Sequence, residues 1–201
     1  MHEMGRILRA DITSCVVGTW FERVTEPYFG AMVRIMAAEG YHIFGIVYDI
    51  QVADDGLVRQ LLSAEGLDPL ILEDNRRNRN VPVEISVLFI GYQSDGKILH
   101  LLPPRPPLSL DEIHVCSAEE KRAFTTASAS FGYFRHLLRN EDLPTGELLA
   151  AHLHDLGEVN SPDWLQQAVQ ELIVLLRDDY PRLMALMSAL GDANLLPEGR
   201  E

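Results

Sequence analysis

The sequence predicts an α+β chain, with a small Greek-key-like β-barrel over residues 1–107 and a helical region over residues 108–201. Three observations carry this expectation. Short β-branched segments separated by Gly-containing turns fill the first part of the chain, the pattern of a small closed or nearly closed barrel. Pro103-Pro104-Arg105-Pro106-Pro107 then fixes an extended, polyproline-like segment. Beyond it the apolar period changes to three and four, the spacing of helices.

Gly5–Ala10 reads as a short strand, and Ser14–Trp20 is rich in β-branched residues. A turn around Glu26-Pro27 leads into Phe29–Met36, where Ala31, Val33 and Ile35 alternate with Met32, Arg34 and Met36 as in a strand with one wetter face. In Tyr41–Val52, residues His42, Phe44, Ile46, Tyr48, Ile50 and Val52 fall on one side, and Gly45 marks a bulge or a sharp bend. Val83–Tyr92 places Val83, Ile85, Val87 and Phe89 on one face, and Ser94-Asp95-Gly96 turns the chain into a strand at Lys97–Leu101. The excursion over 53–82 interrupts this pattern. Asp54-Asp55 is suited to start a helix over Gly56–Ala64, and an insertion this long is usually functional or partner-binding.

The prolines read as a stiff exit from the barrel, in preference to a Pro-x-x-Pro ligand, because apolar sequence flanks them on both sides. Ser117 and Glu120 form a capping box, followed by Phe124, Ala127, Phe131, Phe134 and Leu138 at helical spacing, with Ser128-Ala129-Ser130 inside that helix. Pro144-Thr145-Gly146 opens a short helix through Leu153. Ser161-Pro162-Asp163 supplies an N-cap, a proline at the first helical position and a first-turn acid, before a broad apolar stripe from Trp164 to Leu176. Pro181 begins a last helix with Leu183, Leu186, Met187 and Leu190 on one side, ended by Gly191.

Composition narrows the function. The 201 residues are 47% hydrophobic and 23% charged, which excludes a mainly disordered or collagen-like chain. No apolar run approaches the roughly 18 residues that span a bilayer, and Met1–Ala10 lacks the apolar core of a signal peptide. With two cysteines, Cys15 and Cys116, a reduced cytoplasmic setting is expected and a disulfide scaffold is not. Net charge is −13, and residues 111–201 hold most of it, with 7 basic against 16 acidic side chains. Binding to duplex phosphate needs clustered Lys and Arg, so direct nucleic-acid binding is disfavoured. The one dense basic cluster, Arg76, Arg77 and Arg79, has acidic neighbours and reads as a solvated loop; it is also the candidate contact for a partner or an anion.

Motifs for chemistry are few. There is no phosphate-binding Gly-x-x-x-x-Gly-Lys-Ser/Thr loop, no Gly-x-Gly-x-x-Gly after a strand, no Gly-x-Ser-x-Gly elbow and no His-Glu-x-x-His. His152, His154 and Asp155 are three metal-capable side chains in four residues, but the two histidines would point about 200° apart on a helix and so cannot share an ion. Cys15 and Cys116, even with His114, lack metal-ligand spacing and read as small buried hydrophobes. His42 and His100 read as barrel or rim side chains, and Asp54-Asp55 and Asp178-Asp179 as solvated pairs. No catalytic, cofactor-binding or metal-ligating residue is assigned.

Gly30-Ala31-Met32-Val33-Arg34-Ile35 followed by Gly45-Ile46-Val47-Tyr48-Asp49-Ile50, a "Gly-x-x-Val" strand returning through "Gly-x-Val", resembles the HAS barrel, which the HerA helicases and ATP synthase subunits carry at their N-termini. Val81–Glu84, Ile90-Gly91-Tyr92 and the proline run fit the same scheme. The whole chain is also similar to uncharacterised, mainly cyanobacterial proteins of similar length, barrel first and helices after. The HAS resemblance implies a barrel that packs in rings or docks a partner, as HerA-type barrels help dock a nuclease, and it carries over no catalytic residue. The departure is that an ATPase core follows the HerA barrel, whereas helices without phosphate-binding motifs follow this one.

The expected function is therefore a non-enzymatic interaction protein, homo-oligomeric or docked to protein partners, with no membrane and no cofactor. An accessory factor of a DNA-processing ATPase or nuclease machine is the second reading. An enzyme with a site near the 53–82 insertion is the third, and it requires a pocket where His42, Arg76 or Arg79 meets carboxylates.

Overall fold

The computed structural model describes residues 3–20, 27–52, 82–128 and 130–196. Among these residues seven strands form one antiparallel sheet: β1 (Glu3–Ala10), β2 (Ser14–Trp20), β3 (Met32–Ala38), β4 (Tyr41–Val52), β5 (Pro82–Ser94), β6 (Lys97–Leu99) and β7 (Glu112–Val115). The order β2-β1-β7-β3-β4-β5-β6, with β2 also paired to β5, closes six of them into a barrel and leaves β6 as a flap on the end of β5. β7, last in sequence, lies between β1 and β3, the non-local step of a Greek-key-like barrel. Among the described residues five helices follow: α1 (Ala118–Thr126), α2 (Phe134–Leu138), α3 (Thr145–Gly157), α4 (Pro162–Leu176) and α5 (Tyr180–Asp192).

Alternation decides what fills the barrel. Val33 and Ile35 of β3, Ile43 and Val47 of β4, and Val83, Ile85, Val87 and Phe89 of β5 are fully buried inside it, with Ile7, Val17 and Ile113. Each such side chain removed from water stabilises the fold by about 1.5–3 kcal/mol. The other face of β3, β4 and β5 is apolar too. Met32, Phe44, Ile46, Leu88 and Ile90 join Phe124, Tyr133, Phe134, Leu149 and Leu153 in a second core beneath the helices. Barrel and helices thus share one packed seam.

Gly45 fulfils its expectation. The β4–β5 register shifts between Phe44 and Gly45, and a side chain there would meet Val87 Cγ1 at 2.4 Å and the Leu88 carbonyl at 2.9 Å. Asp95 and Gly96, with φ of 51° and 77°, make the tight β5–β6 turn. The Ser117–Glu120 capping box forms as expected, and Ser161 caps α4 at the Trp164 amide.

Several expectations change. The prolines do not lead the chain out of the barrel. Pro103 and Pro107 are buried, the Tyr41 hydroxyl donates to the Arg105 carbonyl at 3.0 Å, and the Arg105 guanidinium lies 4.9 Å over the Tyr41 ring. This strap returns the chain to β7, so helix starts at Ala118 and strand still occupies part of the expected helical region. The helix expected through Leu138 breaks after Thr126. Thr125 and Thr126 hydroxyls donate back to the Lys121 and Arg122 carbonyls, and Ser128 and Ser130 pair with each other at 3.0 Å. Side chains that satisfy the backbone locally compete with helix, and Ser128 and Ser130 lie in the break. α3 runs to Gly157, past the expected end at Leu153. α5 passes through Gly191 and ends where Asn194 takes the left-handed conformation at φ 55°, with the Leu195 amide bonded to the Leu190 carbonyl. The helix expected at Gly56–Ala64 and the Arg76, Arg77 and Arg79 cluster lie outside the described residues.

Candidate functional site

A largely buried polar constellation lies at the seam. α1 begins right after β7, which carries Lys121 and Glu120 over the outer face of the barrel. There Glu120 meets Arg34 of β3 at 2.6 Å, while its other oxygen accepts the Ser117 amide of its own capping box at 2.8 Å. One residue further along α1, Lys121 Nζ reaches Asp155 of α3 at 2.6 Å, and both side chains are nearly fully buried. The Tyr28 hydroxyl, from the segment that enters β3, donates to the same Asp155 oxygen. A buried ion pair of this kind is bound by geometry as much as by charge, because desolvation offsets much of the attraction.

Gly30 sets how closely α3 approaches. Its φ of 86° is in the left-handed region, and an added Cβ would lie 2.7 Å from the Ala151 Cβ and 2.9 Å from the His152 amide nitrogen. His152, with no exposed surface, therefore reaches the Gly30 carbonyl and donates to it through Nδ1 at 3.2 Å. Nδ1 carries the ring proton in that bond, and Nε2 is buried without a protein partner. Burial holds the imidazole pKa down to about 4 against an ordinary 6.5.

The remaining candidates are placed in turn. His154 is exposed and His152 buried, so the two do not converge. Burial pushes the Cys15 thiol up to about 12 and raises Cys116 as well; both are buried and unpaired by disulfide. His114 is buried in β7 with Nε2 at 3.6 Å from Glu112. His42 sits against Arg34 and Glu120, its pKa lowered by burial and by Arg34. His100 donates through Nε2 to the Phe124 carbonyl at 2.9 Å, inside a cluster of rings with Phe124 and Tyr133. Asp179 caps α5 at the Arg182 amide, and Asp178 is solvated. Among the described residues no group of three or more His, Cys, Asp or Glu could hold a metal.

The constellation can therefore lock α1 and α3 onto β3 through charge and hydrogen bonds; it presents no nucleophile poised beside a base. Sequence reading missed Lys121 and Tyr28, and took Asp155 only as a metal-capable side chain beside His152 and His154. A signal was present: Lys121 falls three residues before Phe124 and Asp155 three after His152, so each charge sits on an inward helix face. Arg76, Arg77 and Arg79 lie outside the described residues. No family model matches the chain, and no curated protein matches it either.

Proposed function

We propose that this is a non-enzymatic assembly protein, whose barrel mediates self-association or docking to a larger complex and whose acidic helices contact a second partner. The observation that carries this reading is apolar surface left in groups. At the turn before β7, Leu108 and Leu110 are 71% and 67% exposed, and Leu8 of the adjoining β1 is 47% exposed. Leu110 has a φ of 74°, so a strained backbone presents an apolar side chain to solvent. On the helices Ile173, Val174, Leu175, Tyr180 and Met184 are exposed as well. Single exposed leucines are ordinary, whereas grouped ones are characteristic of protein contacts.

Two further features support it. Apolar side chains of the strands pack together inside the barrel, and the Arg34–Glu120 and Lys121–Asp155 pairs tie the helices to the barrel and to one another. The resemblance to HAS barrels points in the same direction, and the two buried thiols fit a reducing, cytoplasmic setting. Among the described residues no helix is long and apolar enough to cross a membrane.

Multi-angle light scattering of Leu110→Asp and Val174→Asp beside the unaltered chain tests the assignment to the barrel. Leu110→Asp is expected to return the oligomer to monomer and Val174→Asp to leave it whole. The reverse pattern would move self-association to the helices.

A further inference from the structure

We infer that the groove between α3 and α5 is the docking site for a basic amphipathic helix of a partner protein. This rests on the assembly reading and names the chemistry of the second partner. Residues 145–149 of α3 line a cavity with 182–186 of α5, and 147–154 line the next with 185–192, so α3 and α5 run in the same direction. Their first turns line one cavity, and Gly146 of α3 lies against Ala185 of α5. The two helices also bound an open groove of about 640 Å³. Ala150, Ala151, Ala185 and Ala189 line it, with Ser188 and His154 beside them. Methyl groups leave depth for a ridge of larger side chains and let a third helix approach closely.

Charge says which helix fits. Glu147 and Asp192 flank the groove, are exposed, and have no ion-pair partner among the described residues. Glu147 and His154 on α3, like Ala185 and Asp192 on α5, are seven positions apart, so the groove is about 10 Å long, two helical turns. Residues 145–192 carry eight acidic side chains and two basic ones. An apolar trough with acidic margins selects an apolar helix face flanked by Lys or Arg about two turns apart. The helices of a second copy are themselves acidic and are repelled by it.

The test titrates the full chain with a synthetic Leu/Ala amphipathic peptide flanked by Lys and with a Glu-flanked counterpart, read by fluorescence anisotropy. The Lys peptide is expected to bind in a salt-sensitive manner and the Glu peptide not to bind. Ala185→Trp, which fills the groove, should weaken binding at least tenfold. Glu147→Lys with Asp192→Lys should do the same without altering the alanine lining, and it carries the test if Ala185→Trp fails to fold. Asp178→Lys, elsewhere on the acidic surface, should change binding less than twofold. Failure of the Lys peptide to bind, or equal weakening by Asp178→Lys, overturns the inference. An oligomer that forms normally while the peptide fails overturns this site alone; a monomer that binds the peptide overturns self-association alone.

Discussion

Lys121 and Asp155 show how a charge on an apolar helix face can be structural. Lys121→Met leaves the Asp155 carboxylate buried beside Tyr28 with no cation, and the expected loss is about 3–5 kcal/mol, measured by urea unfolding. The double variant Lys121→Met with Asp155→Leu should recover most of that loss, because a well-packed apolar pair avoids desolvation. If the double variant is as unstable as the single, the pair is more than a mutual neutralisation. His152 gives the second prediction at this scale. Its folded pKa of about 4 lies below the ordinary 6.5, so between those values the unfolded chain takes up a proton that the folded chain refuses. Stability is intact above pH 6.5 and is lost as pH falls toward 4, by about 3 kcal/mol from this group. His100, His136 and His42 are shifted in the same direction and steepen the fall. His152→Gln should flatten the acid limb by one proton in unfolding experiments across pH; an unchanged slope would remove His152 from the account. The sequence showed His152 as a residue without a metal partner, but its burial depends on Gly30, 122 positions away, which no local pattern reveals.

At the scale of elements, what local chemistry dictates was readable. The capping box, the Ser161-Pro162 helix start, the Asp95-Gly96 turn and the Gly45 bulge all depend on a few neighbouring residues. β7 was not readable, since four residues, Glu112–Val115, are held by pairing to β1 and β3 from far along the chain. The break after Thr126 escaped because Phe124 of α1, Phe131 in the break, and Phe134 and Leu138 of α2 keep a helical spacing while all reaching the same core. Gly30 is the hinge of the seam, and its substitution tests it. Gly30→Ala places a Cβ against Ala151 at a φ that side chains rarely adopt, with an expected cost of about 2 kcal/mol or more. The drop should appear in thermal unfolding, accompanied by stronger binding of a hydrophobic dye as α3 lifts from the barrel. Wild-type stability in this variant would show that α3 is not held this closely.

For the whole molecule, the fold class was legible because two periods, one of two and one near 3.6, divide the sequence at a proline run. The seam between the parts was not, because it is made by side chains of β3, β4 and β5 that face away from the barrel interior and read as ordinary strand residues. The proposed function rests on what remains on the surface once that seam is formed: grouped apolar side chains at Leu8, Leu108 and Leu110. Such surface is stable in water when it is covered, and buried apolar contact is little screened by salt. The most direct measurement is the solution mass of the unaltered chain across protein concentration, at low and high salt. A discrete species that is a multiple of 22.6 kDa and persists in high salt is the result expected. A mass of 22.6 kDa at every concentration would contradict self-association through the barrel.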